Sequence, residues 1–262
     1  MTKKEIDRLG EALREGKRDE ATLVALNDLY RQYEPTASKV HEVLLSTIQD
    51  LGLLDPTIAP RPTKSIGSIV AKLLRQQQAH LSSMQDIIGC RIVVENRVDQ
   101  KTLLDTLYFA PERLAALREW FGSIGILDPQ NRPFRDARIF DRNESPSHGY
   151  RAIHLVVRDF GPPYEIQIRT RLQNRWAQLS ERLDDKYPLV KYGKGPPSVR
   201  QALDTLSNET DSIERELAKA TEDEEGSEMD YRIVQRRWER IHEDIATLNR
   251  LYDAVEEKYE LP

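Results

Sequence analysis

Three short segments hold most of the residue types that could do chemistry. In YEIQIRT (164–170) strict alternation puts Glu165, Gln167 and Arg169 on one face of a strand and Ile166 and Ile168 on the other. A carboxylate beside a guanidinium on a strand face fits a metal and phosphate site, although the segment alone reads equally well as a solvated sheet face. In GYRAIHLVV (149–157) Tyr150, Ala152 and His154 share one face, and Arg151, Ile153, Leu155 and Val157 the other. Tyr150 is thereby free to stack on a planar base and His154 to hydrogen-bond, or His154 is simply a satisfied rim histidine. Asp86 stands just before the apolar run IIGCRIVV, where it could cap a strand or, opposite Glu165, complete a metal pair. Such a pair suits Mg²⁺, which takes few protein carboxylates and leaves positions for water and substrate phosphates. Between Asp55 and Asp86 there is no acidic residue at all, while Arg61, Lys64, Lys72 and Arg75 fall in that interval. A positive stretch of this kind attracts phosphates when it faces a cleft, and is a solvated basic helix face when it does not.

The elements that must position these residues follow from periodicity. Residues 3–33 read as helical with a break at Gly16, and a second helix runs from about Ala37 to Leu51 and stops at Gly52. DPTIAPRPT, with three prolines, reads as a loop. Ser65 or Ile66 opens a helix carrying Lys72 and Arg75 three apart on its surface. IIGCRIVVEN (87–96) is a buried strand and 99–122 a helix, and a loop then leads to a short strand ending near Asp141. Strands 149–160 and 164–170 form a close antiparallel hairpin around GPP, before a helix that Pro188 stops. This order predicts an α+β fold with a mixed sheet flanked by helices. Beyond the linker KYGKGPPSV (191–199), alternating spacings of three and four over 203–217 and 241–259 predict a C-terminal helical hairpin joined by EDEEGSE (222–228). Its stripe fits packing within the chain or a homo-oligomer. The expected divisions are 1–55 (N-terminal helices), 56–192 (core) and 193–262 (acidic hairpin).

Composition narrows the classes. The chain has 262 residues, 39% hydrophobic and 32% charged, with one cysteine, Cys90. A single cysteine excludes an internal disulfide framework and a cysteine-based zinc cluster. No apolar run reaches the ~18 residues of a membrane span, and the N-terminus lacks the apolar segment of a secretory signal. The expectation is a soluble, cytoplasmic protein with no membrane contact. The net charge of −5 is uneven: residues 201–262 hold 18 acidic and 8 basic side chains, and residues 1–200 hold 26 and 31. P-loop, dinucleotide-binding, zinc-hydrolase and nucleophile-elbow motifs are all missing, which removes those enzyme classes.

Taken together, KSIGSIVAKLLR, DIIGCRIVV, HGYRAIHLVV and EIQIRT followed by RWAQL resemble the synthetase domain of the RelA/SpoT family over roughly residues 60–187. The resemblance implies a nucleotidyltransferase-like fold and transfer of pyrophosphate from ATP to the ribose 3′-hydroxyl of GDP or GTP, giving (p)ppGpp, as in a small stand-alone alarmone synthetase of the stringent response. By position it implies Asp86 and Glu165 as catalytic Mg²⁺ ligands, with Glu165 activating the acceptor. It implies Lys64, Lys72, Arg75 and Arg91 on the ATP phosphates, and Tyr150, His154, Gln167 and Arg169 in the acceptor pocket. This sequence departs from the family at Arg61 and Lys64, which are separated by two residues rather than one, at SPSHGYR, and at LSERL after Trp176. Two further readings follow from the family: a toxin-type member that modifies tRNA 3′ ends or adenosine nucleotides and needs an antitoxin, and an inactive nucleotide-sensing module.

Overall fold

In the computed structural model the described residues are 1–53, 55–61, 63–76, 78–109, 134, 136–226 and 231–261. The N-terminal part opens with α1 (Lys3–Arg14), whose Thr2 and Glu5 form a capping box, and α2 (Glu20–Leu51). Two separate helices were expected between 20 and 51, but α2 runs through Pro35 unbroken. Buried Tyr33, Thr36 and Val40 flank the proline, and the Thr36 hydroxyl donates to the Phe160 carbonyl at 3.0 Å. Tertiary packing on both sides of Pro35 therefore outweighs the ~3 kcal/mol an interior proline costs. Gly52 ends the helix in the left-handed conformation, as its position predicted.

The sheet has five strands in the order β1-β2-β5-β4-β3: β1 (Thr57–Arg61), β2 (Gly89–Val94), β3 (Ala137–Asp141), β4 (Ile153–Val157) and β5 (Tyr164–Thr170). Only β2 and β5 pair in parallel, so the sheet is mixed as expected. DPTIAPRPT corrects the sequence reading, because five of its residues form edge strand β1, paired antiparallel to β2. An edge strand is where a proline is tolerated, since its missing N–H need not enter a ladder. Gly89 lies opposite Glu165, and a Cβ there would meet the Glu165 carbonyl at 2.2 Å, so the two strands close on each other just where the acidic residue stands.

Helix α3 (Ile66–Arg75) is capped by Ser65, and α4 (Arg97–Leu104) continues as a π-helical turn, Asp105–Phe109. The rest of the helix expected to 122 lies outside the described residues. Helix α5 (Arg171–Lys186) starts directly from β5, with Thr170 and Gln173 as a capping box. The C-terminal hairpin is α6 (Pro197–Gly226) and α7 (Tyr231–Lys258), so the first residues of EDEEGSE belong to α6 and its last two lie outside the described residues.

Burial falls into three clusters. One joins α2, the sheet and α4; one joins α1, α2 and α3; and one joins Trp176, Leu179 and Leu183 of α5 to the hairpin stripe of Leu203, Leu206, Ile213, Leu248 and Tyr252. The heptad-like stripe is thus covered inside the chain. Among the described residues no helix is long and apolar enough to cross a membrane.

Candidate active site

All seven residues of β5 are buried, so its polar face is covered rather than solvated. That face carries a continuous hydrogen-bonded ladder. Arg169 Nη2 donates to Gln167 Oε1 at 3.1 Å, and Gln167 Nε2 donates to Glu165 Oε2 at 2.9 Å. A second path runs through the neighbouring segment. Arg169 Nη2 donates to the Tyr150 hydroxyl at 3.1 Å, Tyr150 bonds His154 Nε2 at 2.9 Å, and His154 Nδ1 bonds Glu165 Oε1 at 2.9 Å. An ionised carboxylate only accepts, so Nδ1 carries the proton in that last bond and fixes the imidazole tautomer. His154, expected only to line the acceptor pocket, is therefore the direct partner of Glu165. Arg61, which β1 delivers, closes the ring with a 2.5 Å bond to Glu165 Oε2.

Asp86 forms an adjacent ion cluster, accepting from Lys64 Nζ at 2.9 Å and from Lys72 Nζ at 2.7 Å. The Lys64 amide donates to the Ile87 carbonyl at 2.8 Å, which locks the chain entering α3 to the start of β2. Burial alone would raise both carboxyl groups. The two lysines outweigh it at Asp86 and hold the group at about 2. At Glu165 the His154 hydrogen bond, with the Arg61 guanidinium, does the same and holds it at about 2, although the charge of Asp86 pushes the other way.

A cleft of about 310 Å³ opens on this face, lined by Arg61, Arg91, Tyr150, His154, Gln167 and Arg169 and closed by Trp176 and Tyr192. It is strongly cationic, and its cations are not saturated. Arg91 Nε and Arg169 Nε are buried without a hydrogen-bond partner, and Arg169 is only 3% exposed. Buried unmet donors are costly, and both arginines line the cleft, where their charge favours an anionic ligand. Burial, with the neighbouring Arg169, lowers the Arg91 pKa, and burial raises that of Tyr150 against the pull of Arg169.

Most of the expected residues therefore converge, as a cleft group and a lysine–Asp86 group. Arg75 does not join either: its guanidinium lies over the Tyr192 ring at 4.2 Å from the centroid. Sequence reasoning missed the lining role of Lys191 and Tyr192, which stood in a segment read as linker. The one signal there was an aromatic residue beside a lysine amid glycines and prolines, a weak one. It also left Arg61 without a partner, since its position in a proline-rich stretch gave no hint of the strand that carries it.

The oxygen chemistry of Asp86 and Glu165 fits Mg²⁺. Both are ionised, and carboxylate oxygens are the donors that Mg²⁺ takes, a few at a time beside water and phosphate oxygens; among the described residues no group of three or more His, Cys, Asp or Glu is placed to hold a metal.

Comparison with known proteins follows the same segments. The family model of the region found in RelA / SpoT proteins matches residues 61–189. An uncharacterized protein of Mycobacterium tuberculosis is 29% identical over 195 residues, covering 74% of this chain but 63% of its own length, so this chain spans less than two thirds of that relative. GTP pyrophosphokinase YjbM of Bacillus subtilis is 28% identical over 166 residues, 60% of this chain and 67% of that protein. The crystal structure of small alarmone synthetase 1 from Bacillus subtilis, bound to its product pppGpp, superposes with a TM-score of 0.50 at 23% identity. It covers 73% of this chain and 95% of that one, a likeness of fold. Residues 61–189, which carry the candidate site, are thus a RelA/SpoT region.

Proposed function

We propose that this protein transfers pyrophosphate from ATP to the 3′-hydroxyl of GDP or GTP, making (p)ppGpp. The observation that carries the reading is the polar face of β5: an ionised Glu165 at one end, the Tyr150–Arg169 pair at the other, and unmet guanidinium donors in the cleft between. The family match, and a relative named GTP pyrophosphokinase, support the same chemistry.

In this reaction the 3′-oxygen bonds to the β-phosphorus of ATP. The bond from that phosphorus to the α–β bridging oxygen breaks, and AMP leaves with that oxygen and its electron pair. Glu165 accepts the hydrogen bond of the attacking hydroxyl and takes its proton as the new bond forms. The His154 proton on the other carboxylate oxygen fixes the carboxylate plane. Lys64 and Lys72, now on Asp86, turn to the ATP phosphates and neutralise the charge that develops on the leaving group. Arg91 and Arg169, which line the cleft, offer their charge to the bound nucleotides, and Tyr150 offers its ring to the acceptor base. Asp86 and Glu165 would hold Mg²⁺, which would supply Lewis-acid neutralisation of phosphate charge.

The test is an acceptor screen with ATP labelled in its β-phosphate, Mg²⁺, and GDP, GTP, ATP alone or uncharged tRNA, with Glu165→Gln as control. Label on GDP or GTP supports the reading. Label on tRNA or an adenosine nucleotide overturns the acceptor and points to a toxin-type enzyme, and no transfer at all points to a nucleotide-sensing module. In the active protein, Tyr150→Ala raises the acceptor KM far more than the ATP KM.

A further inference from the structure

The turn that presents Tyr150 does not support itself. Ser147 and Tyr150 bond across a two-residue turn, with the Tyr150 amide donating to the Ser147 carbonyl at 3.0 Å. The turn residues His148 and Gly149 have φ of 52° and 82°. Positive φ at a histidine is unfavourable by roughly 1–2 kcal/mol, and contacts from outside the turn help to offset it. They come from α6, more than 50 residues further along the chain. Ser207 donates from Oγ to the Gly149 carbonyl at 2.7 Å and accepts from Arg151 Nε at 3.4 Å. Arg151 forms an ion pair with Asp211 at 3.4 Å and also donates to the Asn143 carbonyl, tying both ends of the 143–151 segment. Gly149 fits beneath this helix because it has no side chain: a Cβ there would meet Trp176 at 2.8 Å and Ser207 at 3.2 Å.

Ser207 is 2% exposed, Arg151 9%, and neither lines the cleft. The Gly149 carbonyl that Ser207 holds belongs to the peptide bond leading into Tyr150, so rotation there would swing the ring. We propose that Ser207 and Asp211 are positioning residues, and that the C-terminal hairpin sets the geometry of the acceptor half of the site. The proposal rests on the functional reading for its catalytic consequence, but its structural content stands independently.

Two readouts separate these. Hydrogen–deuterium exchange of a peptide spanning 143–151 is compared in the wild type, Ser207→Ala, Asp211→Asn and Leu248→Ala. Leu248→Ala loosens the hairpin through its apolar stripe without touching the turn. Steady-state kinetics with GDP and ATP follow on the same proteins. Ser207→Ala and Asp211→Asn are expected to speed exchange in 143–151 at least tenfold with the sheet unchanged, and to raise the GDP KM about five- to tenfold, the loss of one hydrogen bond, with the ATP KM within twofold. Unchanged exchange in 143–151 or an equal rise of both KM values in Ser207→Ala and Asp211→Asn would overturn the proposal, and so would a Leu248→Ala protein with faster exchange in the hairpin but no change in 143–151 or in the GDP KM. If the wild type transfers no pyrophosphate, the functional reading fails, and the exchange data still decide whether α6 positions the turn.

Discussion

Two buried glutamates at the two ends of one strand meet their surroundings in opposite ways. Glu165, at the start of β5, is held ionised among Arg61, His154 and Gln167 in a ring that opens onto a cleft with unmet donors. Glu214 of α6 reaches the last residue of the same strand, where Thr170, Gln173 and Arg97 all donate to it. Gln173 and Gln100 are in turn satisfied by Asn143, Ile168 and each other. Burial raises the Glu214 pKa, and its donors only partly offset this, whereas the cations around Glu165 win outright. Residue type and burial are nearly the same in the two places. What separates a site from a scaffold is whether the hydrogen-bonding capacity is used up. The closed cluster is a fastener, and the open one is waiting for a ligand.

The largest expected effect separates chemistry from stability. Glu165→Gln keeps a polar side chain of the same size and should lower pyrophosphate transfer by the folded protein on the order of 10³-fold, at a stability cost of only about 2–3 kcal/mol in urea unfolding. A fully active variant would mean that Glu165 is only another fastener. Next in size, Glu214→Ala should cost about 3–5 kcal/mol in urea unfolding, because Arg97 and Gln173 lose a buried partner. Glu214→Gln, which removes a charge that burial disfavours, should cost far less; equal losses would place the two glutamates in one class.

Acid titration sharpens the contrast by sign. Asp86 and Glu165 have folded pKa values of about 2, below their unfolded values. Each therefore adds stability that is complete above the unfolded pKa near 4 and is lost as pH falls from about 4 toward 2, on the order of 2–3 kcal/mol per group. Glu214 is shifted upward, so its contribution is complete below its unfolded pKa and is lost as pH rises through the folded one. Replacing Asp86 with Asn should flatten the acid limb of the stability curve, and replacing Glu214 with Gln should leave that limb in place. Smallest of the set, Thr170→Val removes both an N-cap and a donor to Glu214. It should cost about 1–2 kcal/mol while turnover of the folded enzyme stays within twofold.

Local rules made the site half legible. Alternation in YEIQIRT and GYRAIHLVV assigned the polar faces correctly, and Ser65 and Gly52 marked helix ends, because these depend only on neighbouring residues. Asp86 could be singled out because the residues before it lack competing acids. The rest depended on distant partners. Nothing near Arg61 announces that a proline-rich stretch will pair with β2 and deliver a guanidinium to Glu165. Nor does heptad spacing on α6 distinguish Glu214, which faces inward, from the solvated glutamates beside it. The Lys191–Tyr192 pair was hidden for the same reason: its role comes from the cleft it closes, and that cleft forms only in the tertiary structure.

The pairing of early strands with late residues also sets a timetable. The Arg61–Glu165 contact spans 104 residues and the Thr170–Glu214 contact a further 44. At synthesis rates of about 5–20 residues per second, the emerging chain spends seconds with Arg61, Lys64 and Lys72 outside the ribosome and their site unassembled. β1 and β2 must wait as an incomplete ribbon until β5 arrives. A nascent chain therefore cannot assemble the ring around Glu165 before β5 has emerged.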